Sequence, residues 1–160
     1  MTPDQTDTPS PRIVALRFNG RPVPVQSARY ARNGRPYQPR EVLAWKRFIH
    51  ISARHQTASF RKGREPVFAT GPLRVEIVYY FDLPARFPKD VRQAAENGVP
   101  VRKTTRPDVT DNLNKGLVDA LTGVLWPDDS IISDCIASKR YTTSGAHTTV
   151  EVREIPSVGF

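Results

Sequence analysis

Arg106-Pro-Asp-Val-Thr-Asp-Asn-Leu-Asn-Lys-Gly-Leu-Val-Asp-Ala-Leu-Thr-Gly-Val-Leu-Trp-Pro-Asp-Asp-Ser-Ile131 is the most strongly patterned part of the chain. On a helical wheel Leu113, Leu117, Ala120, Leu121 and Val124 share one narrow arc, and Asp111, Lys115 and Asp119 lie opposite, four residues apart. This predicts an amphipathic helix, capped by Thr110 or Asp111 and stopped by Gly123. Asp108 and Asp111 then stand at the helix entrance, with Asp128 and Asp129 on the loop past its exit. A helix of about 12 residues is only ~18 Å long, so the two pairs of acids meet only if residues 125–130 double back.

Upstream, Leu73, Val75, Ile77, Tyr79, Phe81 and Leu83 alternate with Arg74, Glu76, Val78, Tyr80 and Asp82, which predicts a central strand ended by Pro84. Val42, Trp45, Ile49 and Ala53 recur at helical spacing after Pro39, so a helix is expected over 39–54, with Trp45 and Phe48 in the core. Shorter elements follow the same logic. Strands are expected at 13–18, 131–141 and 148–152, and a helix over 89–97 stopped by Gly98. Arg21 to Pro39 reads as an ordered loop, and Asn19-Gly20 and Asn33-Gly34 as turns. Residues 1–11 hold three Pro and no apolar period, and read as a disordered tail before a domain at 12–160. The expectation is one α+β domain with a mixed sheet packed against helices, the size of a single core.

Charge narrows the function. The 160 residues carry 24 Lys+Arg against 16 Asp+Glu, for a formal +8, and 18 of the cations are Arg, the side chain suited to bidentate phosphate contact. Residues 12–64 hold 13 basic residues and one acid, Glu41, whereas 108–134 hold six Asp and one cation, Lys115. A basic body beside a compact acidic cluster suits a nucleic-acid binder that also holds a cation. Contacts are expected from Arg29, Tyr30, Arg32, Arg35, Arg61, Lys62, Arg64, Arg102, Lys103 and Arg106, with Tyr37 a further aromatic in the early loop. One cysteine, Cys135, excludes an internal disulfide framework and a Cys-based zinc site, and reads as a small buried side chain on a strand. No apolar run approaches the roughly 18 residues of a membrane span, and the polar N-terminus does not read as a secretion signal, so the cytoplasm is expected. His50, His55 and His147 lack ligand spacing and read as structural or surface groups.

If the acids converge, they offer only oxygen ligands, which favours Mg2+ or Mn2+ over zinc. Carboxylate-held Mg2+ suits phosphodiester cleavage, and Lys115, one turn after Asp111, would add a cation for developing charge. On spacing alone the same residues also suit a dipole-capped helix with a solvated Asp111–Lys115–Asp119 ladder.

Pro-Asp-x-x-Asp-Asn-Leu-x-Lys-x-x-x-Asp-Ala-Leu-x-Gly followed by Trp-x-Asp-Asp-Ser-x-Ile resembles the signature of the RusA family of crossover-junction endodeoxyribonucleases. The specific likeness covers Arg106 to Ile132. It implies a small, dimeric, Mg2+-dependent resolvase of bacteria or their prophages. It makes Asp108, Asp111 and Asp129 the metal-binding catalytic acids, Lys115 the catalytic lysine, and Asp119 and Asp128 supporting acids. One departure stands out. One residue usually separates the first two acids of the pattern, whereas here Val109 and Thr110 both intervene. Either the extra residue bulges and Asp108 still reaches the metal, or Asp111 and Asp129 carry most of the binding.

The implied function is Holliday junction resolution by paired nicks in DNA recombination and repair. A homodimer suits a four-way junction of two-fold symmetry. Two rivals stay open: a branch or flap endonuclease acting on replication intermediates, and a non-catalytic DNA-binding protein on the same fold.

Overall fold

The computed structural model describes residues 10–25 and 29–156. Most of the tail expected over residues 1–11 therefore lies outside the described residues. The alternating run becomes β4, Leu73–Asp82, with Leu73, Val75, Ile77, Tyr79 and Phe81 buried and the residues between them half-exposed or exposed. Period-two patterning places one face against the core, and β4 lies at the centre of the sheet, as expected. The strand order is β1-β7-β4-β6-β5. β1 (Ile13–Asn19) pairs antiparallel with β7 (His147–Glu154), and β7 pairs antiparallel with β4. β4 runs parallel to β6 (Ile132–Thr142), and β6 meets β5 (Val101–Arg102) antiparallel. The sheet is mixed, and the domain is α+β.

A parallel pair cannot be closed by a hairpin, so the chain between β4 and β6 makes a long crossover. It contains α2 (Lys89–Glu96), β5 and α3 (Lys115–Leu121). α1 (Arg40–Gln56) follows Pro39 and buries Val42, Trp45, Ile49 and Ala53, the predicted stripe. Phe48 departs from expectation. It is 44% exposed, because one step from Ile49 turns it off the stripe. α1 and α3 pack together closely at Gly116, where a Cβ would collide with Val25 Cγ2 and approach Trp45 Cζ3 at 3.3 Å.

Two other departures concern the sheet and its surroundings. Residues 21–39 include a small hairpin, β2 (Arg29–Tyr30) with β3 (Pro36–Tyr37), turned at Gly34 (φ 75°), where Asn33 Oδ1 accepts the Arg35 N–H at 3.2 Å. Cys135 is exposed rather than buried. It sits on β6 where β5 does not reach, since β5 pairs only with Arg140 and Tyr141.

Candidate active site and nucleic-acid interface

The acidic helix starts with a π turn. Val109–Asn114 form a π-helix, and the Leu113 N–H donates to Asp108 O at 3.1 Å, five residues back. A π turn takes in one residue more than an α turn. Val109 and Thr110, the two residues between Asp108 and Asp111, lie in this turn, and Leu113, Leu117 and Leu121 all stay fully buried. Neither Thr110 nor Asp111 caps this helix. It begins earlier, after an extended Asp108 (φ −74°, ψ 141°), and no side-chain cap bond forms. Asn112 Nδ2 donates to Asp108 Oδ2 at 3.4 Å, and Asn112 O accepts the Val25 N–H at 2.8 Å. The second bond draws the early Arg/Pro loop to the helix entrance. Beneath the turn, the Tyr79 O–H donates to Asn114 Oδ1 at 2.8 Å. Burial, with Cys135 adding to it, pushes the Tyr79 phenol well above its usual range, so it remains a donor.

A lysine fixes the approach to Asp108. Lys139 Nζ donates to Thr105 O and Pro107 O, both at 2.7 Å. Desolvation and the nearby Lys103 lower its pKa, against the opposing pull of Asp108. The pattern that marked Asp108 carried no sign of Lys139, which lies 31 residues later on the half-buried C-terminal part of β6.

Asp128 and Asp129 lie elsewhere. Asp128 accepts the Ser130 N–H at 2.8 Å, and its hydrogen bonds to Ser130 lower its pKa. Asp129 opens a 3-10 turn, Asp129–Ile131, that leads straight into β6. Gly71 holds that turn tightly, since a Cβ there would stand 2.5 Å from Ile131 O. The loop does not double back; β6 itself is the return. The seven residue steps from Ile132 to Lys139 span about 23 Å at ~3.3 Å per residue. Asp108 and Asp111 thus sit toward one end of β6, and Asp128 and Asp129 toward the other.

Among the described residues no three of His, Cys, Asp and Glu come together in a way that could hold a metal ion. Within one chain, Asp108 and Asp111 therefore have no third ligand of these types beside them among the described residues. Asp119 is engaged with α1, where Lys46 Nζ lies 3.3 Å from Asp119 Oδ2. Lys115 is exposed beside Asp111.

The basic surface is partly open and partly self-braced. Tyr30 (71% exposed) and Tyr37 stand out on the β2–β3 hairpin among the exposed Arg29, Arg32 and Arg35. Arg61 donates to Glu65 O at 3.1 Å and Arg64 O at 3.2 Å, so it braces its own turn, while Lys62 and Arg64 are exposed. Arg102 and Arg106 are exposed, and Lys103 Nζ lies 5.3 Å from the ring centres of both Phe81 and Tyr141. The histidines serve structure or surface. His50 Nδ1 lies 3.1 Å from Ala120 O, His147 stacks on Tyr80, and His55 is exposed.

A small α+β domain with acids at a helix entrance and an arginine-rich surface has the charge distribution of a nucleic-acid-binding protein. The particular family follows from comparison. The family model described as Endodeoxyribonuclease RusA matches residues 19–153, and the chain belongs to that family. It is also 30% identical over 128 residues to an uncharacterized protein, YqaN, of Bacillus subtilis strain 168, a match covering 78% of this chain and 83% of the relative. RusA-family enzymes are endodeoxyribonucleases that act on branched DNA junctions and generally depend on a divalent metal. Among the described residues no helix is long and apolar enough to cross a membrane.

Proposed function

We propose that the protein is a Mg2+-dependent endonuclease that resolves four-way DNA junctions by paired nicks, working as a homodimer in which each site takes acids from both chains. The observation that carries this reading is the separation of Asp108 and Asp111 from Asp128 and Asp129 beside an open strand edge. Among the described residues, Ile132–Ser138 of β6 has no partner strand on its outer side, and the Lys139 carbonyl that follows accepts the Lys103 N–H at 3.1 Å. Proteins ordinarily blunt such an edge with charge, proline or a covering element. Here the edge carries an exposed Cys135 and an Ile136 that is 50% exposed, with Asp134 the one acid.

A two-fold axis between Cys135 and Ile136, joining two β6 edges antiparallel, sets the partner's Ile132 opposite Lys139. The partner's Asp129, three residues earlier, then approaches the end that carries Asp108 and Asp111. Each end gains the acids that one chain lacks. The four carboxylates offer the all-oxygen ligand set of a hard cation. Such an ion, when bound, acidifies a water and offsets phosphoryl charge. The chain's own part is to orient the DNA. Arg and Lys of the early loop and of 102–106 hold backbone phosphates, which reads shape rather than sequence. Lys115, solvent-facing beside Asp111, supplies a cation where the scissile phosphate would lie.

Incubating the protein with a synthetic four-way junction, with and without Mg2+, tests the reading, with flap and fork substrates alongside. Symmetric cleavage of the junction that requires the metal and exceeds flap cleavage is expected. Equal cleavage of flaps would make the enzyme a general branch nuclease, and junction binding with no metal-dependent nicking would make it a binding protein.

A further inference from the structure

A second basic feature lies three residues before Asp108. Arg21, Asp82, Arg86, Lys103, Thr105 and Tyr141 line an open cavity of about 350 Å3. Its cations come from three separate segments. Arg21 follows β1, Arg86 follows β4, and Lys103 follows β5. With Asp82 the one acid among these six, three cations leave a formal charge of +2. The salt bridges among the described residues are Lys46–Asp119, Arg74–Glu76 and Arg153–Glu151, and none of them involves the three cations.

Lys103 is held in place. Its ammonium donates to Thr105 Oγ1 and rests over the Phe81 and Tyr141 rings. Arg86 lies 5.7 Å from the Phe87 ring centre, and that ring leans on Tyr141 at 5.2 Å. Burial pushes the Tyr141 phenol up, but Thr105, Lys103 and Arg86 together bring it below its usual value. Three converging cations beside a single acid, with no ion pair among the described residues, braced by aromatic rings and joined by hydroxyl donors, suit a small oxyanion better than a neutral group.

The cavity is also tied to the acidic end. Lys139 clamps the carbonyls of Thr105 and Pro107 on either side of Arg106. Three chain steps from Thr105 to Asp108 span at most about 11 Å. That is within about three nucleotides at the ~3.4 Å rise of a duplex strand.

We propose that this cavity is a phosphate subsite that grips one backbone phosphodiester of the strand to be cut, within about three nucleotides of the cleaved bond, and so sets where the cut falls. Arg21, Arg86 and Lys103 are its ligating groups, with the Tyr141 and Thr105 hydroxyls as further donors. The proposal rests on the nuclease reading above for the cut, but not for the binding.

The test replaces single phosphodiesters of a four-way junction with neutral methylphosphonates, one position at a time. Binding is measured by gel shift in EDTA, and cleavage in Mg2+. For the wild type, one position near the cut should weaken binding by at least about 10-fold, the size of one lost charge-assisted hydrogen bond. The double variant Arg21→Ala/Arg86→Ala should bind the unmodified junction as weakly as the wild type binds that substrate, and be indifferent to that linkage. Arg21→Lys/Arg86→Lys should restore part of the difference, which a folding defect would not allow.

In Mg2+ the same modified position should spread the cuts over neighbouring bonds. A wild type indifferent to every linkage overturns the proposal, as does a double variant with the wild-type position dependence. Competition by a 5′-phosphorylated oligonucleotide, but not by its unphosphorylated form, would assign the cavity to terminal phosphates and overturn the backbone assignment. The expected EDTA binding pattern without cleavage of any substrate would uphold the subsite and sink the nuclease reading instead.

Discussion

Mixing two inactive variants asks whether the acids of one site come from two chains. Asp111→Asn and Asp129→Asn each remove one carboxylate and keep its shape. Within one chain the two residues belong to opposite ends of a strand segment about 23 Å long, whereas ligands of one cation lie on the order of 2 Å from it. If each site pairs Asp111 of one chain with Asp129 of the other, each homodimer has two dead sites. A mixed dimer has one site with both changes and one site with none. Random exchange makes about half of the dimers mixed, so the mixture should recover about one quarter of the wild-type sites.

The assay is a junction-cleavage time course in Mg2+ after co-refolding of differently tagged variants, with exchange confirmed by pull-down of the second tag. Because a mixed dimer has a single live site, nicked junctions should outnumber resolved ones. A verified mixed dimer that is as inactive as its parents would refute acids combining across the interface. Recovery to the expected fraction would exclude a site built within one chain.

Four further outcomes follow from particular residues. Ile136→Lys places a charge on the open β6 edge and should shift the protein from dimer to monomer in size-exclusion chromatography, with cleavage lost and the circular dichroism spectrum kept; a dimer that persists would place the interface elsewhere. Gly71→Ala should displace the Asp129 turn and destabilise the fold by about 1–3 kcal/mol in a urea titration, since the clash is with backbone; junction binding in EDTA should survive better than cleavage. Lys139→Met removes two charge-assisted hydrogen bonds, worth about 1.5–3 kcal/mol each at most, and should speed amide hydrogen exchange across residues 103–108 more than in β4. Replacing Arg61, Lys62 and Arg64 together with Ala should flatten the salt dependence of junction binding by ~0.9 for each duplex phosphate no longer neutralised, and an unchanged slope would reduce the knot to a self-braced turn.

Local periodicity marked Leu73 to Asp82 as a strand and put Val42, Trp45, Ile49 and Ala53 on one helical face, because each element buries the side that its own spacing prepares. The same patterning gave Leu113, Leu117, Ala120 and Leu121 to the core, and the density of the acidic motif pointed to the family that the comparison shows. Other features depend on residues distant in sequence. Phe48 and Cys135 are exposed because no neighbouring element among the described residues covers them, and apolar character alone does not specify a neighbour. The π turn runs between Asn114, which Tyr79 holds from the sheet, and an extended Asp108, and no local period encodes that long-range hold.

The parallel pairing of β4 with β6 had no local signal. Yet that pairing makes β6 the return path of the acidic segment and carries Asp129 away from Asp108. The meeting of Arg21, Arg86 and Lys103 likewise depends on three strand ends coming together across 82 residues. Sequence spacing determined which faces are buried and which residues are charged, because those are properties of short segments. Tertiary structure alone decided which charges share a site, because strand order and direction set distances that no local period encodes.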